Sequence, residues 1–180
     1  MIFLNYEMYK NARDASWNCL IECQIDRLPV NVSQICRHYN LSIIKNSSLT
    51  TNKLKPNERA KNMLISGKYY VIVDDSETVQ AQRYSILHEV GHILIRNASE
   101  YEAERFAIGV LAPACVLWGL NVHTAKSIAD LCNISPTSAQ IRANRMEILY
   151  GRNKFLLSPL ERQVFAQFQE FIQESKNLFR

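Results

Sequence analysis

No two cysteines of this 180-residue chain are spaced as C-x-x-C, and no apolar run approaches the length of a membrane span. The five cysteines, Cys19, Cys23, Cys36, Cys115 and Cys132, are odd in number. Neither a disulfide framework nor a cysteine-bound zinc follows, and reduced, buried thiols in a cytoplasmic protein are expected. No segment is a candidate for membrane insertion. Met1–Leu4 is apolar, but Asn5 and Glu7 end that run, so no signal peptide is expected. Strong charge of either sign is lacking too: the formal net charge is +4 and the pI about 8.8. That balance permits an acidic partner without arguing for one. Repeats and low-complexity tracts are missing, which excludes a solenoid. What is present is a chain of 47% hydrophobic residues, enough for one domain, or one domain with a small appendage, to bury a real core.

The patterning predicts an α+β protein. A helix is expected over residues 5–25, with Trp17, Leu20 and Ile21 inward. A second, beyond Pro29, is capped by Asn31 or Ser33. Leu41–Ile44 reads as a short strand and residues 45–60 as a polar surface loop. Met63–Ile65 and Tyr69–Val73 are β-rich runs split by Ser66-Gly67-Lys68, a hairpin signal. Asp74 with Glu77 three further on has the capping-box spacing, so a long helix is expected from about Asp75 to Arg96. Another runs from Glu100 to Leu111 and ends before Pro113. Only helices are expected afterwards: Thr124–Cys132, Pro136–Leu149, and a last one capped by Ser158 with Pro159 and Glu161 behind it.

The chemistry concentrates in Ser85-Ile86-Leu87-His88-Glu89-Val90-Gly91-His92-Ile93. His88 and His92 are four apart and share one helix face. Two imidazoles so placed can close on one zinc ion at about 2.0–2.1 Å. Glu89 lies one step round the helix, suited to accept a proton from water rather than to bind metal. Zinc lowers the pKa of bound water from about 15.7 to about 7, so the H-E-x-x-H spacing supplies its own nucleophile. The flanks are apolar on nearly every side, and three ionisable groups on a buried helix are costly unless paired or metal-bound. A catalytic zinc also needs a third protein ligand. The next helix offers Glu100, Glu102 and Glu104, and the residues alone leave the three open.

The stretch Arg83-Tyr84-Ser85-Ile86-Leu87-His88-Glu89-Val90-Gly91-His92, with Glu102-Ala103-Glu104-Arg105-Phe106-Ala107 running on to Leu111-Ala112-Pro113, resembles the ImmA/IrrE family of zinc metallopeptidases. Members typically read R-F-T-x-A-H-E-x-G-H and then E-A-N-x-F-A-x-x-L-L-M-P. Leu87, Glu104 and Ala112 depart from that pattern, and the connection from His92 to Glu102 is shorter than in many members. The resemblance implies one zinc ion on His88, His92 and Glu102, with Glu89 catalytic. It implies a small, mainly antiparallel sheet packed on the H-E-x-x-H helix. Residues 1–113 would form the metallopeptidase core and 114–180 a helical C-terminal region. The implied activity is limited proteolysis of a protein partner, a helix-turn-helix repressor of a phage or mobile element, in a bacterial cytoplasm.

Other residues carry weaker signals. Tyr69, Tyr70, His123 and Arg105 are candidates for stabilising the oxyanion. Arg83 reads as a structural brace through a carboxylate. Ser127–Ser135, followed by Ala139 and Arg142, has the look of a helix-turn-helix, with Arg142, Arg145, Arg152 and Lys154 as a basic neighbourhood. The alternative function is therefore a zinc-containing transcription-regulatory module that contacts DNA and lacks peptidase activity. A helical pair packed over the core, with its arginines in solvent, is the expectation that competes with it.

Overall fold

A left-handed residue, Gln24 with φ 52°, stops the first helix earlier than its apolar pattern implies. In the computed structural model, which describes residues 2–178 with side chains from Tyr6 to Asn177, α1 spans Ile2–Glu22. Met1 and the side chains of Ile2–Leu4, the apolar start, lie outside the described residues. Helix α2 covers Val32–His38, and Asn31 is its cap, accepting from the Gln34 backbone N–H at 3.2 Å. Strand β1 is Ser42–Lys45, β2 Ala60–Ile65 and β3 Lys68–Val73. The expected hairpin is present, turning at Ser66 and Gly67, both of positive φ. The class is α+β. The sheet is mixed, in the order β1-β3-β2: β3 pairs antiparallel with β2 and parallel with β1.

The long helix begins later than the capping-box spacing implies. Asp74 does not cap it; its carboxylate accepts from the Ser76 backbone N–H at 3.1 Å and hydroxyl at 2.7 Å, closing a turn. Asp75 holds the preceding loop by accepting from the Ser47 backbone N–H at 2.9 Å and hydroxyl at 2.6 Å. Thr78 is the cap, and α3 runs Val79–Leu94. Sixteen residues give a helix of about 24 Å. Helix α4 (Glu100–Leu111) follows after Ser99.

Past Pro113 a short helix, α5 (Ala114–Gly119), was not foreseen. Helices α6 (Ala125–Cys132) and α7 (Pro136–Gly151) match the expected pair. The last expected helix starts as read, with Ser158 accepting from the Glu161 N–H at 3.0 Å, but breaks at Phe168 into α8 (Pro159–Gln167) and α9 (Gln169–Leu178). One buried cluster joins the two halves of the chain, from Leu20 and Val71 through Phe106 to Met146 and Phe168. Fully burying a side chain such as Phe106 contributes about 1.5–3 kcal/mol. Polar ties cross the same boundary: the Gln167 amide donates to the Leu20 and Ile25 carbonyls at 2.8 and 2.6 Å. Arg83 is a brace, though it donates to the carbonyls of Val30 and Cys132 rather than to a carboxylate.

Helix α4 sits between α1 and α3, and glycine sets both crossings. A Cβ on Gly109 would lie 2.5 Å from the Ser16 hydroxyl oxygen of α1. A Cβ on Gly91 would lie 3.1 Å from the Ala103 Cα and from the Phe106 ring of α4. Among the described residues no helix is long and apolar enough to cross a membrane.

All five cysteines are free and buried. Burial pushes the Cys36 thiol up to about 11, and those of Cys115 and Cys132 up to about 12. Tyr84 is pushed up to about 12 for the same reason. Each group holds its proton more tightly folded than unfolded, so its stabilising effect is complete below the unfolded value and is lost as pH rises through the folded one. The urea midpoint should therefore fall from about pH 9 towards pH 12. A midpoint that stayed flat over that window would contradict the burial of these groups.

Candidate metal centre

On α3 the residues Tyr84, His88 and His92 repeat every four positions and form one stripe. The stripe faces a cleft of about 630 Å³ between α3, β2 and the start of α4. The Nε2 atoms of His88 and His92 are 3.2 Å apart. The Glu100 carboxylate spans them, with Oε2 at 3.2 Å from His88 and Oε1 at 3.3 Å from His92. Both imidazoles are largely shielded, whereas the Glu100 side chain is 80% exposed and leaves the centre open to solvent. These three residues are a group that can hold a metal ion.

Two tests support the fit. The 3.2 Å between the two nitrogens is close to the edge of a tetrahedron with bonds of about 2.0 Å, and a different oxygen of Glu100 lies within 3.3 Å of each. The second test is proton counting. A neutral imidazole has one N–H, and a carboxylate only accepts. If both Nε2 atoms carry hydrogen, donor faces donor across 3.2 Å. If either lacks it, that nitrogen faces the carboxylate as acceptor against acceptor. Every assignment of neutral rings leaves one contact opposed, and a single cation between them satisfies all three. Nδ1 of His88 is buried without a hydrogen-bond partner, so the occupant of Nε2, rather than a brace behind the ring, decides its tautomer.

Glu102 does not join the histidines. Its carboxylate accepts from the Ser99 backbone N–H at 3.0 Å and the Ser99 hydroxyl at 2.8 Å. The Ser99 oxygen in turn accepts from the Glu102 N–H at 3.3 Å. This is a complete capping box at the start of α4. Glu100 therefore stands where the family resemblance implied Glu102. The signal was present as Ser99-x-x-Glu102, which assigns that carboxylate to the helix end. Glu104 borders the cleft without joining the group.

Glu89 is buried, at 9% exposure, and lines the cleft beside His88. Its Oε2 accepts from the Asn62 side-chain amide at 2.7 Å. Asn62 sits in β2, opposite Val71 of β3, so the sheet register holds the acid. No local sequence signal marks Asn62, because the contact joins residues 27 apart. Tyr84 is the other unforeseen member: its ring centroid is 6.1 Å from that of His88, and burial keeps its hydroxyl protonated. The four residues expected to stabilise an oxyanion do not border this cleft. His123 lies against Tyr150, Lys68 lies over Tyr70, and Arg105 stacks on Tyr101 and faces a second cavity. Tyr69 packs against the core.

The basic neighbourhood is divided: Arg152 and Lys154 are exposed as expected, and the two arginines of α7 are not. Arg142 is 7% exposed and donates to the Ile108 carbonyl at 3.0 Å. Arg145 donates to the Tyr9 hydroxyl at 3.0 Å. Both turn inward, towards α4 and α1. No protein-family model, no curated protein and no solved structure matches the chain.

The ligand set gives a direct prediction. Glu100→Ala should lose tightly bound metal, measured as metal per chain after dialysis. Glu102→Ala should keep its metal and lose about 0.5–2 kcal/mol of stability with the cap. The reverse pattern would restore Glu102 as ligand. Gly91→Ala should cost about 1–3 kcal/mol by forcing α4 outward, and should weaken metal binding with it.

Proposed function

We propose that the chain is a single-zinc endopeptidase that performs limited proteolysis of a protein partner. The supporting observation is the meeting of His88, His92 and Glu100 in a cleft that also presents the buried Glu89. All-nitrogen-and-oxygen donors at this spacing suit zinc. Zinc, when bound, supplies a Lewis acid for the scissile carbonyl and lowers the pKa of water. Glu89 accepts a proton from the attacking water and delivers it to the leaving amine. Asn62 fixes one carboxylate oxygen of Glu89, leaving the other for that exchange. Tyr84 donates from the cleft wall to the carbonyl oxygen as charge develops there.

The cleft suits an extended peptide. Strand β2 is an edge of the sheet, and Ala60, Lys61 and Asn62 line the cleft. A substrate laid along β2 would gain main-chain hydrogen bonds. The family resemblance makes a helix-turn-helix repressor the first substrate to try, in a bacterial cytoplasm.

The test is cleavage of such repressors by zinc-loaded protein. Glu89→Gln should retain zinc and lose at least about 10²-fold in rate. Equal rates would remove Glu89 from the mechanism. Tyr84→Phe should lower kcat by about 10²-fold with KM little changed. A rise in KM alone would make Tyr84 a substrate contact instead. A protein that binds no zinc at all would end the proposal.

A further inference from the structure

On the opposite side of α4 from the metal-binding cleft, a cavity of about 370 Å³ opens between α1, α4, α7 and the loop 152–158. Its size is that of a small-molecule site. Six cationic side chains border it: Arg13, Arg105, Arg142, Arg145, Arg152 and Lys154. One carboxylate does, Glu161, and that one accepts from the Leu157 backbone N–H at 3.0 Å. Arg13 is neutralised by Asp14 at 2.7 Å. The other five cations have no acidic partner within ion-pair distance among the described residues.

Two of these guanidiniums are built in rather than scattered on a surface. Arg142 is buried, with Nε lacking any hydrogen-bond partner. Arg105 has a buried, unpartnered Nε as well. A buried donor without an acceptor costs about 1–3 kcal/mol, more when charged. Burial lowers the pKa of Arg142; Tyr9 and Cys132 oppose that shift, and neighbouring Arg145 and Arg105 add to it. Such a group of like charges is stabilised by an anion. Tyr9 orients Arg145 twice, by accepting from Nε at 3.0 Å and by lying 4.5 Å beneath the guanidinium. Tyr6, Tyr9 and Trp17 add aromatic surface to the wall.

We propose that this cavity binds a small phosphorylated molecule, its phosphoryl group held by Arg142 and Arg145 and its remainder lying against the aromatic wall. A phosphoryl group brings about 1.5–2 negative charges and three acceptor oxygens, which match several forked guanidiniums better than one carboxylate does. Duplex DNA fits the same charges poorly. A recognition helix presents its side chains to a groove, whereas Arg142 lies in the recess of the cavity, beyond the reach of a duplex, with one nitrogen donating to the Ile108 carbonyl of α4.

The test is calorimetric titration of the full chain with adenosine monophosphate, adenosine and inorganic phosphate in parallel. One site per chain is expected for the monophosphate and none for adenosine. Inorganic phosphate binding as tightly would support the site with free phosphate as its ligand. Arg145→Ala should weaken binding at least tenfold. Lys154→Ala, an exposed position unconnected to the core, should weaken it several-fold without altering the thermal midpoint. His88→Ala should bind unchanged, and loss of binding there would overturn the proposal by moving the phosphate to the metal centre. So would the absence of heat from both phosphate ligands at millimolar concentration, or indifference to both cavity variants. Displacement of the monophosphate by short duplex DNA of higher affinity would overturn it in favour of nucleic-acid binding.

Discussion

The crossing of α3 and α4 at Gly91 is the constraint on which the candidate centre depends. A helix held by ordinary side chains keeps its neighbour 8–10 Å away, axis to axis. At Gly91 there is no side chain to hold α4 off, and the Ala103 backbone and Phe106 ring fill the space a Cβ would take. The start of α4 is thereby brought over the His88–His92 face. Glu100, the first residue of α4, reaches both imidazoles from there. The glycine inside the motif is therefore a matter of packing: the proposed chemistry stands on His88, Glu89 and His92, and Gly91 gives Glu100 its approach to them.

Much of this was legible in the residues, and the misses share one cause. His88, Glu89 and His92 were readable because helix geometry alone places them. The hairpin, the Asn31 and Ser158 caps and α4 were readable because their signals are local. The choice among Glu100, Glu102 and Glu104 was not settled by spacing, since it depends on the angle at which two helices cross. A local cue was available for part of it: Ser99 competes for Glu102, and a cap hydrogen bond already satisfies that carboxylate. The same cue misled at Asp74, where a two-residue turn to Ser76 outcompeted the helix start. Asn62 and Tyr84 had no cue, because their roles exist only once β2 lies beside α3. The inward arginines were hidden for a similar reason. Arg142 reads as a surface charge on α7 until α4 supplies the Ile108 carbonyl beside it.

Helix α4 has two polar ends of different kinds along one length. Glu100 belongs to the candidate metal centre, and Arg105, five residues on, belongs to the basic cavity. On its inner side Ala103, Phe106 and Ala107 are fully buried, so the helix is gripped by the core in its middle. Its packing against α1 is tighter still than against α3: a Cβ on Gly109 would come within 2.5 Å of Ser16, and one on Gly91 within 3.1 Å of Ala103 and Phe106. A rigid element of this kind transmits displacement rather than absorbing it. A ligand that drew Arg105 into its cavity would act on the same rod that carries Glu100.

The opposed contact among His88, His92 and Glu100 bears on stability as well as on chemistry. With two neutral rings and an ionised carboxylate one of the three contacts stays opposed, and a cation between them relieves it. A cation that binds the folded chain and not the unfolded one adds its binding free energy to folding. The same reasoning separates Glu89 from the triangle. One of its oxygens already accepts from Asn62, which on the proposed mechanism leaves the other for proton exchange. On the proposed mechanism, two of the cleft's carboxylates are sorted into ligand and base by what each already bonds to, and the exposed Glu100 and the buried Glu89 are not interchangeable.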